Sequence, residues 1–152
     1  MNAIQLLKAD HDTVEELFGT VEATERPDHA RIFTEIKAEL EAHAHIEETI
    51  FYPALQEQSS DDLLDLVSDA LKEHQQAKAF LGELSVAAED SDRFEGLLTK
   101  LIEDVRHHVR EEEDEMFPLV ESEFAEEAID QLGAQMAAEK DRFNSSTESA
   151  HA

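Results

Sequence analysis

The sequence predicts an all-α protein: an up-down-up-down antiparallel four-helix bundle with a short C-terminal fifth helix. Three observations predict it. Only four glycines and three prolines interrupt 152 residues that are rich in strong helix formers. Apolar residues recur at alternating steps of three and four, the period of a helix with one buried face. The breaks between the periodic stretches are short, and short connections make successive helices antiparallel.

The first helix carries the stripe Ile4, Leu7, His11, Val14, Phe18 and Val21. Pro27 suits the opening turn of the second, where a missing N–H costs nothing. Its stripe is Ile32, Ile36, Leu40, His43, Glu47 and Ile50. Ser59 and Ser60, followed by Asp61 and Asp62, can cap the third helix, whose stripe is Leu63, Val67, Ala70, His74, Ala77, Leu81 and Leu84. Ser91 can cap the fourth, with Phe94, Leu98, Leu101, Val105, His108, Glu112, Glu115 and Leu119 inside. Past Phe117-Pro118, the series Ile129, Leu132, Met136 and Phe143 predicts a fifth helix packed on the outside. The expected organisation is a bundle over residues 1–121, an added helix over 122–143, and a polar, disordered tail over 144–152.

The charge balance bears on partners. Twelve Lys and Arg against 38 Asp and Glu give a formal charge of −26. Such a field repels phosphate backbones and anionic head groups, so neither nucleic acid nor a membrane surface is an expected partner. With no cysteine, disulfides and thiolate metal sites are impossible. No apolar run approaches the ~18 residues a membrane span needs. The N-terminus lacks a secretory pattern, so the expected location is the cytoplasm.

Each core-facing stripe contains one histidine where a leucine would be ordinary. Two residues of an antiparallel pair lie level when they are equally far from the turn between them. The midpoint of His11 and His43 is Pro27; that of His43 and His74 falls between Gln58 and Ser59; that of His74 and His108 is Ser91. All three fall on the expected turns, so the four imidazoles should meet in one layer. His29 sits fourteen residues below His43, roughly 21 Å along the axis. His45 and His107 point off the inner face, and His151 lies in the tail.

Glu47 and Glu112 stand one turn beyond His43 and His108 and point into the same layer. Bare carboxylates there would cost several kcal/mol of desolvation. A metal removes that cost by binding neutral imidazole and ionised carboxylate directly. Four imidazoles and two carboxylates exceed the needs of one tetrahedral zinc and suit two carboxylate-bridged ions, with iron fitting the donor mix. Glu48, Glu111 and Glu113 read as solvated face; Glu15 and Glu115, on or near the inner face, could fill a vacant place on a metal. An ideal helix turns Tyr52, the only tyrosine, ~180° away from His43. A distortion at Pro53 would change that.

The pattern is duplicated. A shift of 65 superimposes His43, Glu47, Glu48 and Pro53 on His108, Glu112, Glu113 and Pro118, and a shift of 63 carries His11, Phe18 and Gly19 onto His74, Leu81 and Gly82. The order His, HxxxE, His, HxxxE, with "LKADHDTVEELF", "HIEETIFYPAL" and "EEEDEMFPLV", resembles the bacterial hemerythrin-like (HHE cation-binding) family over residues 4–120. The resemblance implies two non-haem iron ions, oxo- or hydroxo-bridged, held by His11, His43, Glu47, His74, His108 and Glu112. Glu47 and Glu112 would be the bridging carboxylates. In some members a tyrosine just before the proline approaches the bridge, the place of Tyr52. Oxygen-carrying hemerythrins add a fifth histidine one turn before the helix-three ligand; here that place is Ala70, and Lys78 lies one turn after it. The implied set supplies about four protein bonds per iron, which leaves room at each for an incoming molecule.

The expected function is therefore the binding or processing of a small oxidant, a diatomic (oxygen or nitric oxide) or peroxide. Catalase-like peroxide dismutation is its enzymatic form. A non-catalytic oxygen or iron sensor or storage protein is the alternative, and a zinc-binding acidic bundle a third reading. Oligomeric state and redox partner are not legible in the sequence.

Overall fold

The structure, a computed structural model, describes the backbone of residues 1–151 and the side chains of residues 1–147. Among the described residues the protein is helical throughout, with no strand. In chain order the elements are α1 (Ala3–Ala23), α2 (Arg26–Ile46), a π-helical turn (Glu47–Phe51), α3 (Tyr52–Gln58), α4 (Asp61–Val86), α5 (Asp92–Glu111), a second π-helical turn (Glu112–Met116), α6 (Phe117–Glu123) and α7 (Glu126–His151).

The helix starts follow the local chemistry. Ser60 Oγ accepts from the Leu63 N–H at 3.3 Å and Ser91 Oγ from the Phe94 N–H at 3.0 Å, satisfying amides that have no partner within the helix. Pro27 lies in the opening turn of α2. Asn2 and Gln5 form a reciprocal capping box on α1. Connections cover only residues 24–25, 59–60, 87–91 and 124–125. In the longest of them Asp90 takes φ 57°, which a short polar side chain tolerates, and Arg26 donates to its carbonyl oxygen at 2.9 Å.

Both π-helical turns precede a proline. The Tyr52 N–H bonds back to Glu47 O and the Phe117 N–H to Glu112 O, each spanning five residues. Pro53 and Pro118 have no N–H to give, and their rings would crowd the carbonyl four residues earlier. Widening the turn by one residue accommodates this without breaking the rod. The widened turn also rotates everything after it, which decides where Tyr52 points.

Two apolar cores occupy the two ends of the bundle. One gathers Leu7, Ile46, Phe51, Leu55, Leu63, Val67, Phe117 and Val120. The other gathers Phe18, Ile32, Ile36, Leu81, Leu84, Phe94, Leu98 and Leu101. Between them lies a buried polar layer of Asp10, His11, His43, Glu47, His74, His108 and Glu112.

Helix α7 packs on α1 and α2. It passes so close to the chain start that a Cβ on Gly133 would lie 2.5 Å from Met1 O, so glycine is what permits the approach. The described helix runs beyond the expected boundary at 143 and includes residues 144–147, assigned by composition to a disordered tail; nothing after Gly133 is a glycine or proline that would stop it. Side chains of residues 148–152, His151 among them, lie outside the described set.

His29 has a structural partner far from the layer. Its Nδ1 faces both Glu95 carboxylate oxygens at 2.8 and 2.9 Å, and its Nε2 faces the Thr24 carbonyl at 3.1 Å. Burial pulls its pKa down, but the bonds to Glu95 and Thr24 outweigh burial and raise it. The charged form is therefore the stabilising one. That contribution is complete below the unfolded value near 6.5 and is lost as pH rises through the higher folded value. Replacing His29 by glutamine is expected to cost about 1 kcal/mol more at pH 6 than at pH 9 in denaturant unfolding. A cost independent of pH would refute the charged pairing.

Candidate metal centre

The four stripe histidines do meet. The rings of His11 and His43 are 5.0 Å apart between centroids, as are those of His74 and His108. Glu47, with no exposed surface, has Oε1 3.2 Å from His43 Nε2, 3.1 Å from His74 Nε2 and 3.9 Å from His108 Nε2. Glu112 Oε1 lies 3.1 Å from His11 Nε2 and 3.3 Å from His108 Nε2. Each carboxylate thus faces imidazoles of both pairs. Two groups form in the layer, His11 with His43 and Glu112, and His74 with His108 and Glu47, with one donor atom of each residue within 4.8 Å of the others; a third such group, Glu73 with His107 and Glu111, lies outside the buried layer.

The Nε2 atoms can all turn inward because every Nδ1 is held from outside. Asp10 Oδ2 holds His43 at 2.9 Å, Glu113 Oε2 holds His11 at 2.7 Å, Glu48 Oε2 holds His74 at 2.8 Å and Glu73 Oε1 holds His108 at 2.6 Å. An outer carboxylate on one ring nitrogen fixes the ring and makes the other nitrogen a better donor. This corrects the reading of Glu48 and Glu113 as solvated face: each leaves the bundle surface to hold an imidazole on a neighbouring element. Asp10 and Glu73 escaped sequence reasoning altogether. Their signal was the duplication itself, since the shift of 63 that relates His11 to His74 also relates Asp10 to Glu73.

Other candidates fall outside. Glu15 is exposed and takes a bidentate pair from Arg106 at 2.9 and 3.0 Å, and Glu115 is exposed, so neither can complete a metal shell. Glu111 pairs with His107 at the surface. His45 faces Glu139 at 2.7 Å and stacks on Phe143 of α7. Ala70 is buried among apolar side chains, so no fifth imidazole stands in its place.

Tyr52 comes into the layer. The first π-helical turn swings its ring inward, where the hydroxyl donates to Glu112 Oε2 at 2.7 Å and lies 3.4 Å from His74 Nε2. Burial raises its pKa well above the ordinary phenol value, and the neighbouring Glu112 and Glu47 charges raise it further, so it stays a donor. The equivalent residue in the other half is Phe117, stacked on His11 with centroids 6.0 Å apart.

The electrostatics are those of a site built for cations. Burial alone would lower the pKa of His43, but the Glu47 charge and the Asp10 hydrogen bond push it up to about 10. His74 is raised, and His108 well raised, against burial by the same kinds of carboxylate partner. Glu47 is held well below the carboxylate range despite burial, chiefly by His43. Even so, His43 Nε2, His108 Nε2 and both Glu47 oxygens make no hydrogen bond, although they are buried. Donors that are close, convergent and without hydrogen bonds fit metal ions at their centre.

An all-helical bundle with imidazoles and carboxylates converging in a buried internal layer is the architecture of a cation-binding helical protein. Comparison with known proteins gives it a family. Residues 2–120 match the model of the Hemerythrin HHE cation binding domain, and the chain belongs to that family. It is also similar to the crystal structure of a hemerythrin HHE cation binding domain-containing protein from Mycobacterium kansasii. That likeness has a TM-score of 0.82 at 26% identity, over 96% of this chain and 89% of that one. A curated relative described as a DNA nickase, from Nostoc sp. (strain PCC 7120 / SAG 25.82 / UTEX 2576), is 25% identical over 148 residues. The match takes in 94% of this chain but only 40% of that protein's length.

Proposed function

We propose that this protein is a non-haem di-iron protein that binds or processes a small oxidant: oxygen, nitric oxide or peroxide. One ion would be held by His11, His43 and Glu112 and the other by His74, His108 and Glu47. Both carboxylates would bridge, within an up-down-up-down bundle. The observation that carries this reading is the inward convergence of four Nε2 atoms on two buried carboxylates, each of which faces both histidine pairs. When bound, the iron pair supplies the redox change and the point of attachment.

The chain's own residues do the rest. Asp10, Glu48, Glu73 and Glu113 orient the imidazoles, and the apolar cores close the layer at either end of the bundle. Tyr52 holds a proton beside Glu112, where it can be offered to a charge that develops in the layer. With Ala70 in place of a fifth imidazole, the donor set leaves room at both ions, which favours peroxide or nitric oxide chemistry over clean reversible oxygen carriage. Metal analysis with an absorption spectrum on the same sample tests the proposal: two irons per chain are expected, and zinc or no metal would overturn it. Peroxide dismutation, if it is the activity, would appear as gas evolution lost in His74→Ala.

The nicking activity named for the longer relative is not part of this reading. The matched chain is 40% of that protein, and a formal charge of −26 opposes a phosphate backbone. Among the described residues no helix is long and apolar enough to cross a membrane.

A second reading, metal or oxygen sensing, is favoured by one contact. Lys140 of α7 donates to Asp10 Oδ1 at 2.5 Å, and Asp10 Oδ2 holds His43. The outer helix thereby touches the centre through two hydrogen bonds. Metal loading is expected to slow proteolysis within residues 122–152, and Lys140→Met to abolish the difference. Equal cleavage with and without metal would remove the sensor reading.

A further inference from the structure

A cavity of about 480 Å³ opens from the surface between α2 and α4 and reaches all four layer histidines. It exists because the facing side chains are small. Ala44 on α2 and Ala77 and Gly82 on α4 line it, and a Cβ added at Gly82 would have nothing within 4 Å. Two polar contacts cross the slot at its ends, Lys37 Nζ to Ser85 Oγ at 3.1 Å and Lys78 Nζ to Glu48 Oε1 at 2.6 Å. Between them Leu40, Leu81 and Val105 make an apolar throat.

The duplicated sequence provides an internal comparison. The equivalent seam, between α1 and α5, has Val14 where this one has Ala77, Val109 where it has Ala44, and Phe18 where it has Leu81. Arg106 spans that seam to Glu15 and Glu22, with its guanidinium 5.7 Å from the Phe18 ring centre. At the level of the layer the α1–α5 seam carries the larger side chains and the α2–α4 seam the smaller, while a second cavity of about 340 Å³ lies further along the α1–α5 seam beside Arg106, away from the layer histidines.

We propose that the α2–α4 slot is a binding site for a neutral, largely apolar organic molecule larger than any diatomic, whose polar end reaches the imidazole layer. The volume falls within the range of small-molecule pockets, roughly 300–1,000 Å³, and far exceeds the ~30 Å³ share of one water molecule. An anion is disfavoured: Glu41, Glu48, Glu73 and Asp104 line the slot, and both lysines are already engaged. An organic cation would lose its hydration in the apolar throat. The inference rests on the shape and lining of the slot and holds whatever metal the layer takes.

Calorimetric titration of the 152-residue chain with 1-hexanol, hexanoate and hexylamine tests it, with metal content measured on the same sample. Saturable binding of about one hexanol per chain is expected, with hexanoate and hexylamine at least about tenfold weaker. Gly82→Leu and Ala77→Leu fill the slot and should weaken hexanol by about tenfold or more without lowering the melting temperature. Gly19→Leu, at the equivalent place on α1, outside the slot's lining and also in open space, should leave binding unchanged. Hexanol binding that is absent, is matched by either charged probe, or persists in both slot variants would overturn the proposal. A sample that lacks iron yet binds hexanol would count against the iron reading alone.

Discussion

Replacing Glu47 by glutamine is expected to strip the centre of metal. The substitution keeps size and shape but removes the charge that His43, His74 and His108 all face, at 3.2, 3.1 and 3.9 Å. Loss of an outer carboxylate such as Asp10 should weaken metal binding by about ten- to a hundredfold. Glu47 is in direct line with three Nε2 atoms, so its loss should exceed a hundredfold, more than about 2.7 kcal/mol. Competition against a chelator of known affinity, run on both variants, gives the comparison. The metal-free protein should suffer too, because imidazolium groups lose a buried counter-charge. Breaking such a pair costs up to about 3–5 kcal/mol, less here to the extent that an imidazole sheds its proton. An affinity within tenfold of the parent would mean that Glu47 is not a ligand.

Metal loading at neutral pH should acidify the solution. Without an ion, His43 is held protonated up to about pH 10 by Glu47 and Asp10, and His74 and His108 are also raised. A metal needs the same Nε2 lone pairs, so each protonated ring that becomes a ligand gives up a proton. The sign follows: apparent affinity rises with pH below about 10 and falls in acid, by about tenfold per pH unit for each proton displaced. Titration in two buffers of different ionisation enthalpy counts the protons directly. Release of more than one proton per chain is expected at pH 7, and no release would show that the imidazoles are not the groups that bind.

The core of this arrangement was readable in the sequence because helical periodicity is unambiguous over twenty residues, and level positions follow from the distances to the turns. His11, His43, His74, His108, Glu47 and Glu112 all lie on inner stripes, and the structure gathers them. What the stripes miss sits on their flanks. Asp10 and Glu73 are each one residue before a layer histidine, a position periodicity counts as half-exposed, and only the neighbouring helix gives their carboxylates a target. Glu48 and Glu113 were misread for the same reason: a run of acids beside a seam looks solvated until the adjacent rod is placed. Tyr52 depended on backbone geometry. A regular helix points it away, and the five-residue hydrogen bond before Pro53 brings it in. The open slot needed the facing register of α2 and α4, which single-helix patterns do not supply.

The rotation that would exchange the two halves of the chain carries Tyr52 onto Phe117, and α7 onto a flank of α4 and α5. Neither is a true equivalence, since a phenylalanine offers no proton and α7 is docked on α1 and α2. The two halves of the layer are therefore inequivalent: a phenol stands 2.7 Å from Glu112 Oε2 and 3.4 Å from His74 Nε2, with no counterpart donor at Phe117. If two ions bind as proposed, stepwise occupancy with unequal constants, rather than a single doubled event, is the expected consequence.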